Sequence, residues 1–247
     1  MADSTCCVTS PRKRLMIFSG RSNPVLAAKI ADKLDVAPGN VELKTFSNGE
    51  IYARFEENVR GSDMFIVQSP CDDINGELME LLIMIQAAQL ASAKRITAVM
   101  PYYPYSRQDK KSAAREPITA RLVATLLEAS KVDRVLSMDL HQGQIQGFFN
   151  IPVGELTAVH MLSRYFNDKH LEDCVVVTDL GFAKRARAFA ELVDAPLAIV
   201  EKRRHGNLDR AEVMNVIGDV RGLRAIIVDD EVDTGGTLIE ITRALER

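Results

Sequence analysis

The segment Ala225-Ile-Ile-Val-Asp-Asp-Glu-Val-Asp-Thr-Gly-Gly-Thr-Leu-Ile-Glu240 carries the most specific signal in the sequence. Its apolar first residues predict a buried strand, which ends at the paired carboxylates Asp229 and Asp230. The dipeptide Gly235-Gly236 permits close backbone approach, and a helix is predicted from Leu238. This order of strand, carboxylates, glycine turn and helix predicts an α/β fold with a ligand site where the strand ends.

The turn of this segment combines a phosphate site with a sugar site. Backbone amides at a helix N-terminus, together with threonine hydroxyls, bind phosphate. Carboxylates would repel a phosphate, so they suit sugar hydroxyls or a metal-bridged sugar instead. A ribose 5-phosphate unit has both groups. We expect it to contact the following residues: Asp229, Asp230, Asp233, Thr234, Gly235, Gly236 and Thr237.

Strand-length apolar runs alternate with helix-length segments along the rest of the chain. The predicted strands are Leu15–Phe18, Met64–Gln68, Ile96–Met100, Arg134–Met138, Cys174–Thr178, Ala198–Val200 and Ala225–Val228. The spacing of apolar residues predicts helices over Asn75–Ser92 and Ile118–Ala129. This alternation is typical of mainly parallel sheets, which bind ligands outside the carboxyl ends of their strands.

Two similar domains are suggested by an internal similarity. The segments Leu15–Phe46 and Val175–Arg204 both have the order strand, short loop, helix, strand. Alanine-rich amphipathic helices often resemble one another, so a duplication and a chance similarity both remain open. We predict a flexible leader over 1–14, a first domain over 15–152 and a second domain over 153–247.

Composition excludes several classes of partner. The 31 Lys and Arg residues against 34 Asp and Glu residues give a net charge of −3, which argues against nucleic acid as a partner.

The longest apolar stretch, 78–93, contains two glutamines and is too short to cross a membrane. The N-terminus has no secretory pattern, and the four cysteines form no CxxC pair. A cytoplasmic location is therefore expected.

Five motifs give the chain a resemblance to one family. The 225–240 segment resembles the phosphoribosyl diphosphate loop of type I phosphoribosyltransferases. Four more motifs occur in the order found in ribose-phosphate diphosphokinases: Phe46-Ser-Asn-Gly-Glu50, Arg107-Gln-Asp-Lys-Lys111, Asp139-Leu-His141 with Gln144-Ile-Gln-Gly-Phe-Phe149, and Lys202-Arg-Arg204. The resemblance runs from Leu15 onward. It implies two similar type I phosphoribosyltransferase-like domains with mainly parallel sheets, the second incomplete.

The resemblance also implies a reaction. The diphosphoryl group of ATP would pass to the 1-hydroxyl of ribose 5-phosphate, giving 5-phosphoribosyl 1-diphosphate and AMP for nucleotide biosynthesis. Six residues would bind ATP: Phe46, Asn48, Gly49, Glu50, Arg107 and Gln108. In the family, the loop that begins with Phe46 serves a neighbouring subunit. The resemblance therefore implies a homo-oligomer, a hexamer in the family.

Catalytic and metal-binding roles follow from the same resemblance. His141 and Asp179 would bind the Mg²⁺ cofactor. Lys202 and Arg204 would lie on a mobile loop and stabilise the charge of the reacting phosphates, and Arg203 would take no part.

Two departures from the family pattern concern the second domain. The stretch Val177-Thr-Asp-Leu-Gly-Phe lacks the second glycine of the family's Ser-Pro-Asp-x-Gly-Gly, a change for which Lys184 and Arg185 are candidates to compensate. The chain also ends at Arg247, one short helix after the phosphate loop, so we expect a truncated second domain.

Two other functions share part of the pattern. A phosphoribosyltransferase that consumes the diphosphate would have the 229–237 loop but not Arg107-Gln108 or the two-domain layout. A catalytically inactive, synthetase-associated regulatory subunit or fragment would keep the fold and lose catalytic residues. The presence of Lys202, Arg204 and His141 argues against this function, and the expected truncation favours it.

Overall fold

The computed structural model describes residues 14–204 and 211–246, with the backbone alone at 202–204 and 211–214. The predicted leader, 1–14, therefore lies outside the described residues apart from Arg14. The chain forms two compact units that divide after Leu156. Both contain a mainly parallel sheet with helices, which confirms the predicted fold class.

The first unit contains seven strands and three α-helices within its described part. In chain order they are β1 (Leu15–Ser19), α1 (Pro24–Lys33), β2 (Val41–Thr45), β3 (Ile51–Phe55), β4 (Asp63–Val67), α2 (Ile74–Leu90), β5 (Arg95–Met100), α3 (Thr119–Ala129), β6 (Arg134–Met138) and β7 (Val153–Leu156). Five strands form one parallel sheet in the order β1-β4-β5-β6-β7. Because β7 completes this sheet, the first unit extends beyond the sequence-based boundary at residue 152.

Helices cover both faces of this sheet, which explains the apolar runs that predicted its strands. Alternate strand residues point to opposite faces. One set, with Ile66 and Met100, belongs to a buried cluster that contains the apolar residues of α2 and α3. The other set, with Val67 and Val99, is buried with Ala27 of α1.

Strands β2 and β3 form an antiparallel hairpin that the sequence did not predict. Charged residues such as Glu42 and Arg54 interrupt its apolar pattern because one side of the hairpin is exposed. The other side packs on the core cluster of the first unit through Val41, Leu43, Ala53 and Phe55. The hairpin also limits the internal similarity of the chain, since β2 pairs with β3 and not with the main sheet.

The second unit contains four strands and three α-helices within its described part. They are α4 (Val159–Asp168), β8 (Cys174–Asp179), α5 (Ala183–Leu192), β9 (Leu197–Arg204), β10 (Ala211–Ile217), β11 (Arg224–Ile227) and α6 (Gly236–Leu245). The sheet order is β10-β9-β8-β11, in which β9, β8 and β11 are parallel and β10 is antiparallel to β9. Buried residues of its strands belong to two apolar clusters. One cluster contains Ile241 of α6, and the other contains Phe189 of α5.

Strand β9 continues to Arg204, beyond the predicted end at Val200. The extension pairs with β10, which the sequence did not predict: Lys202 lies opposite Val213, and Arg204 lies opposite Ala211. The sequence-based prediction ended this strand at its last apolar residue, Val200. It missed the extension because the pairing partner, β10, lies later in the chain and leaves no local pattern in the strand itself. Among the described residues, no helix has the length and apolar composition needed to cross a bilayer.

The buried face of α3 gives a direct test of the first core. Leu127 is fully buried, whereas Leu122 on the same helix is 53% exposed. We expect Leu127→Ala to lower the free energy of unfolding by about 2–5 kcal/mol, because it leaves a cavity. Leu122→Ala is the matched control and should cost less than about 1 kcal/mol. Urea unfolding followed by circular dichroism measures both, and equal losses would contradict this assignment of the core.

Candidate functional site

Carboxylates meet at the carboxyl edge of the second sheet. Strands β8 and β11 are parallel neighbours, with Val177 opposite Ile227, so Asp179 and Asp229 emerge at the same edge. The backbone amide of Asp230 donates to Asp229 Oδ1 at 2.9 Å. The alignment of two parallel strands therefore places three carboxylates side by side.

This crowding raises the pKa of Asp229 to about 6. The main cause is burial of the carboxyl group, which disfavours its charged form, and a side-chain hydrogen bond with Asp230 and the charge of Asp179 add to it. The backbone amide of Asp230 offsets part of the effect. A ligand that donates hydroxyl hydrogens or brings a cation would stabilise this cluster. In the described part of the chain, no three acidic, histidine or cysteine side chains are placed to hold a metal by themselves.

The loop after β11 leads directly into the N-terminus of α6. Gly235 has φ 75° and ψ 4°, a left-handed conformation that favours glycine. Among the described residues, no side chain caps α6, and the amides of its first turn have no partner within the helix. Free amides at a helix N-terminus attract anions. The loop thus places these amides shortly after the carboxylates that follow β11. The residues predicted to bind sugar phosphate, Asp229, Asp230 and 233–237, all follow β11 at the carboxyl edge of the second sheet.

The predicted catalytic residues Lys202 and Arg204 occupy alternate positions of β9. Strand β9 lies next to β8, with Val200 opposite Asp179. The family resemblance implied a mobile loop here, whereas residues 202–204 are part of strand β9. The segment 205–210, which continues this motif, lies outside the described residues.

The predicted nucleotide turn 46–50 joins β2 to β3. The Phe46 amide donates to the Glu50 carbonyl at 2.8 Å, and the Gly49 amide donates to the Phe46 carbonyl at 2.9 Å. Gly49 has φ 90°, and the Asn48 side chain accepts from the Glu50 amide at 3.1 Å. Asn48 therefore shapes the turn. Phe46 is 51% exposed, and its ring makes an edge-type contact with Tyr52, so part of the residue is open to a ligand.

The other nucleotide residues, Arg107 and Gln108, follow β5 at the carboxyl edge of the first sheet and are exposed. The Gln108 carbonyl accepts from the Ala120 amide at 3.2 Å, and its side chain accepts from the Thr119 hydroxyl at 2.5 Å. These bonds hold the loop against the start of α3. Tyr103 also anchors the loop, since its hydroxyl donates to the Ala120 carbonyl at 2.9 Å. Burial raises the pKa of this hydroxyl.

The predicted metal-binding residues fall in different units. His141 follows β6 in the first unit, and Asp179 ends β8 in the second. Asp139 has φ 45°, a left-handed conformation that turns the chain directly after β6. As a result Leu140 is buried and His141 is half-buried at the carboxyl edge of its own sheet.

Sequence reasoning missed a polar network at the same edge of the first sheet. Glu80 of α2 is 1% exposed, and its carboxylate accepts from the Arg21 amide at 2.8 Å and from Gln68 Nε2 at 2.9 Å. Gln68 is also fully buried and accepts from the Ser22 amide at 3.1 Å. The available signal was a glutamate between Leu78 and Leu81 on the apolar face of a helix.

Both units match known families of proteins. Residues 15–130 match the N-terminal domain of ribose phosphate pyrophosphokinase, and residues 152–247 match the phosphoribosyl transferase domain. The ribose-phosphate pyrophosphokinase of Caldanaerobacter subterraneus is 54% identical over 94% of this chain and 73% of the relative. That of Gloeobacter violaceus is 52% identical over 95% of this chain and 71% of the relative.

A solved structure is similar to the whole fold. The crystal structure of phosphoribosylpyrophosphate synthetase from Mycobacterium smegmatis has a TM-score of 0.88 and 47% sequence identity to this chain. The similarity covers 95% of this chain and 77% of the solved one.

The raised pKa of Asp229 predicts a stability effect that depends on pH. Between about pH 4 and pH 6 the folded state binds more protons at Asp229 than the unfolded state does, so the free energy of unfolding falls as pH rises. In magnesium-free buffer at pH 7.5 we expect Asp229→Asn to raise it by about 1 kcal/mol, a value reduced for partial solvent exposure. At pH 4 the gain should vanish.

Urea unfolding at both pH values measures this effect. The exposed Glu191 lies on α5 of the same unit, and Glu191→Gln should change stability by less than about 0.5 kcal/mol at either pH. A loss of stability in Asp229→Asn at pH 7.5 would show that the carboxylate is not destabilising there.

Proposed function

Because the chain belongs to the ribose-phosphate pyrophosphokinase family, we propose that it transfers the diphosphoryl group of ATP to the 1-hydroxyl of ribose 5-phosphate. The products are 5-phosphoribosyl 1-diphosphate and AMP, for nucleotide biosynthesis. One observation carries the proposal: uncapped amides at the start of α6 lie beside a carboxylate cluster at the end of β11. A sugar phosphate has the two groups that such a site requires.

Ribose 5-phosphate binds with its phosphate at the loop and its hydroxyls at the carboxylates. The amides of Gly236 and Thr237 and the hydroxyls of Thr234 and Thr237 donate to the phosphate oxygens. Asp229 and Asp230 accept from the ribose hydroxyls, which satisfies carboxylates that are otherwise crowded together. Asp233 contributes to the same loop.

ATP binds to the turn 46–50 and to the loop that carries Arg107 and Gln108. The exposed Phe46 side chain stacks on adenine, and Asn48, Gly49 and Glu50 form the surrounding turn. Since both segments belong to the first unit and the family borrows the first one from a neighbouring subunit, the active protein is a homo-oligomer, a hexamer.

The residues present fit a Mg²⁺ cofactor. Mg²⁺ takes oxygen ligands and is usually bound through one or two carboxylates and substrate phosphates. In the second unit, Asp179 beside the crowded Asp229 would supply a carboxylate oxygen. In the first unit, His141 is the residue that we propose for metal binding. When bound, Mg²⁺ neutralises charge on the triphosphate of ATP.

The reaction needs no covalent intermediate with the protein. The 1-hydroxyl oxygen attacks the β-phosphorus in line, and a new oxygen–phosphorus bond forms as the bond from the β-phosphorus to the α,β-bridging oxygen breaks. The electron pair of the broken bond stays on AMP, and the 1-hydroxyl proton passes to solvent. Lys202 and Arg204 lower the barrier by stabilising negative charge on the phosphates in transit. The reaction takes place in the cytoplasm, where free thiols such as Cys71 and Cys174 persist.

AMP formation from ATP, Mg²⁺ and ribose 5-phosphate tests the proposal. We expect Asp230→Asn to raise the KM for ribose 5-phosphate by at least about tenfold, because a buried hydroxyl contact is lost, and to leave the KM for ATP within about twofold. Glu191→Gln is the control and should match the wild type. Formation of ADP in place of AMP, or release of diphosphate that depends on a nucleobase, would contradict the proposed reaction.

Lys202→Ala tests the catalytic role of the β9 cations. We expect turnover to fall by about 10²- to 10³-fold with little change in the KM for ribose 5-phosphate, because the lost charge acts on the transition state. Arg203→Ala removes the neighbouring cation and should retain most activity. Steady-state kinetics measures the turnover of both variants. An equal loss of turnover in Lys202→Ala and Arg203→Ala would refute a specific role for Lys202.

A further inference from the structure

Arg21, in the turn between β1 and α1, joins three elements of the first unit. Its Nε donates to Glu80 Oε2 of α2 at 2.5 Å, and its backbone amide donates to the other oxygen of the same carboxylate at 2.8 Å. Its Nη1 donates to the Thr45 hydroxyl at 2.9 Å. One guanidinium thus links the end of β1, the helix α2 and the last residue of β2.

The anchor of this link is rigid. The Glu80 carboxylate is buried, and Arg21 is the cation that compensates its charge. Gln68 holds the carboxylate in place through Nε2 at 2.9 Å, while its own Oε1 accepts from the Ser22 hydroxyl at 2.7 Å. Gly20 lies so close that a Cβ atom would come within 2.2 Å of Gln68 Oε1. The guanidinium is therefore held by a buried carboxylate that Gln68 orients.

The other end of the link holds the hairpin β2–β3 next to its turn. Thr45 directly precedes Phe46, the first residue of the turn. The apolar contacts of Val41, Leu43, Ala53 and Phe55 hold the rest of the hairpin on the core cluster. Within the described residues, Arg21 makes the hydrogen bond that ties residues 44–52 to the sheet and to α2.

We propose that Arg21 is a positioning residue for the turn 46–50, which fixes where Phe46 and Glu50 meet the nucleotide. The inference rests on the proposed function, in which this turn binds ATP. Arginine suits the role because its planar fork makes two hydrogen bonds in fixed directions, whereas a lysine ammonium is a compact charge without that fork. Arg21 touches neither substrate nor reacting atoms and acts through Thr45.

Thr45→Val is the sharpest test, because it removes the hydroxyl and keeps the shape of the side chain and the ion pair of Arg21 with the buried Glu80 carboxylate. We expect the KM for ATP to rise roughly threefold to tenfold, as for the loss of one hydrogen bond. The turnover number and the KM for ribose 5-phosphate should stay within about twofold. Arg21→Lys keeps the charge opposite Glu80 and should show the same rise in KM.

A matched control lies on the same hairpin. Arg54 is exposed and pairs with Glu42 at 3.0 Å across the two strands, away from the turn. Arg54→Gln also removes one arginine contact, yet it should leave both KM values unchanged. A KM for ATP that rises equally in Arg54→Gln and Thr45→Val would show general loosening of the hairpin and overturn the proposal.

Hydrogen exchange gives a readout that does not depend on activity. In Thr45→Val we expect amides of the segment 44–52 to exchange at least about threefold faster, with no change in peptides from β1, β4 and α2. Unchanged exchange in 44–52 would overturn the positioning role of Arg21 whatever the kinetics show. Absence of AMP formation by the wild-type chain would instead refute the proposed function, while hydrogen exchange would still decide whether Arg21 holds the turn.

Discussion

The parallel alignment of β8 with β11 is the constraint on which the second unit's site depends. Parallel strands end at a common edge, so Asp179 and Asp229 lie at the same edge of the sheet. Burial and the neighbouring carboxylates raise the pKa of Asp229. A ligand that brings hydroxyl hydrogens or a cation to this edge would stabilise the charged carboxylates. The αL conformation of Gly235 then turns the chain so that uncapped amides of α6 face the same region. Backbone amides and carboxylates thus occur together over residues 229–237, the combination that the proposed sugar-phosphate site requires.

The first unit has a similar topology and a different chemistry at the corresponding edge. The amides of Arg21 and Ser22 follow β1, but they donate to the side chains of Glu80 and Gln68. The amide of Leu26 in α1 is capped by Asn23. Because the protein's own side chains occupy these donors, this edge does not offer a phosphate the open amides that α6 offers. The hairpin β2–β3 and the loop after β5 instead carry the residues proposed for ATP, so under the proposed function each unit would bind one of the two substrates.

The sequence predicted those parts of the fold that are buried on both sides. Seven strands were predicted because parallel strands between layers of helices have almost continuous apolar runs. The hairpin β2–β3 was missed because Glu42 and Arg54 alternate with its apolar residues on an exposed face. Strand β10 was missed because it pairs with the charged end of β9, and no pattern of apolar residues near β10 indicates this pairing.

Site residues divide in the same way. The 229–237 loop was visible because carboxylates, glycines and threonines occur together over a few residues, in an order that one ligand explains. Glu80 was invisible, since a periodic analysis counts a charge as exposed, whereas here the charge is compensated by Arg21 from a distant part of the chain. The metal-binding role predicted for His141 came from the family resemblance.

In the proposed function, the start of α6 binds the phosphate of ribose 5-phosphate. Glycine-selective ¹⁵N labelling tests it directly, because the chain has 14 glycines, among them Gly235, Gly236 and the control Gly20. We predict that the Gly235 and Gly236 amide resonances shift and saturate with ribose 5-phosphate and respond far less to ribose, while Gly20 does not move. If Gly235 and Gly236 stay in place, or if Gly20 shifts instead, the phosphate does not bind at this loop.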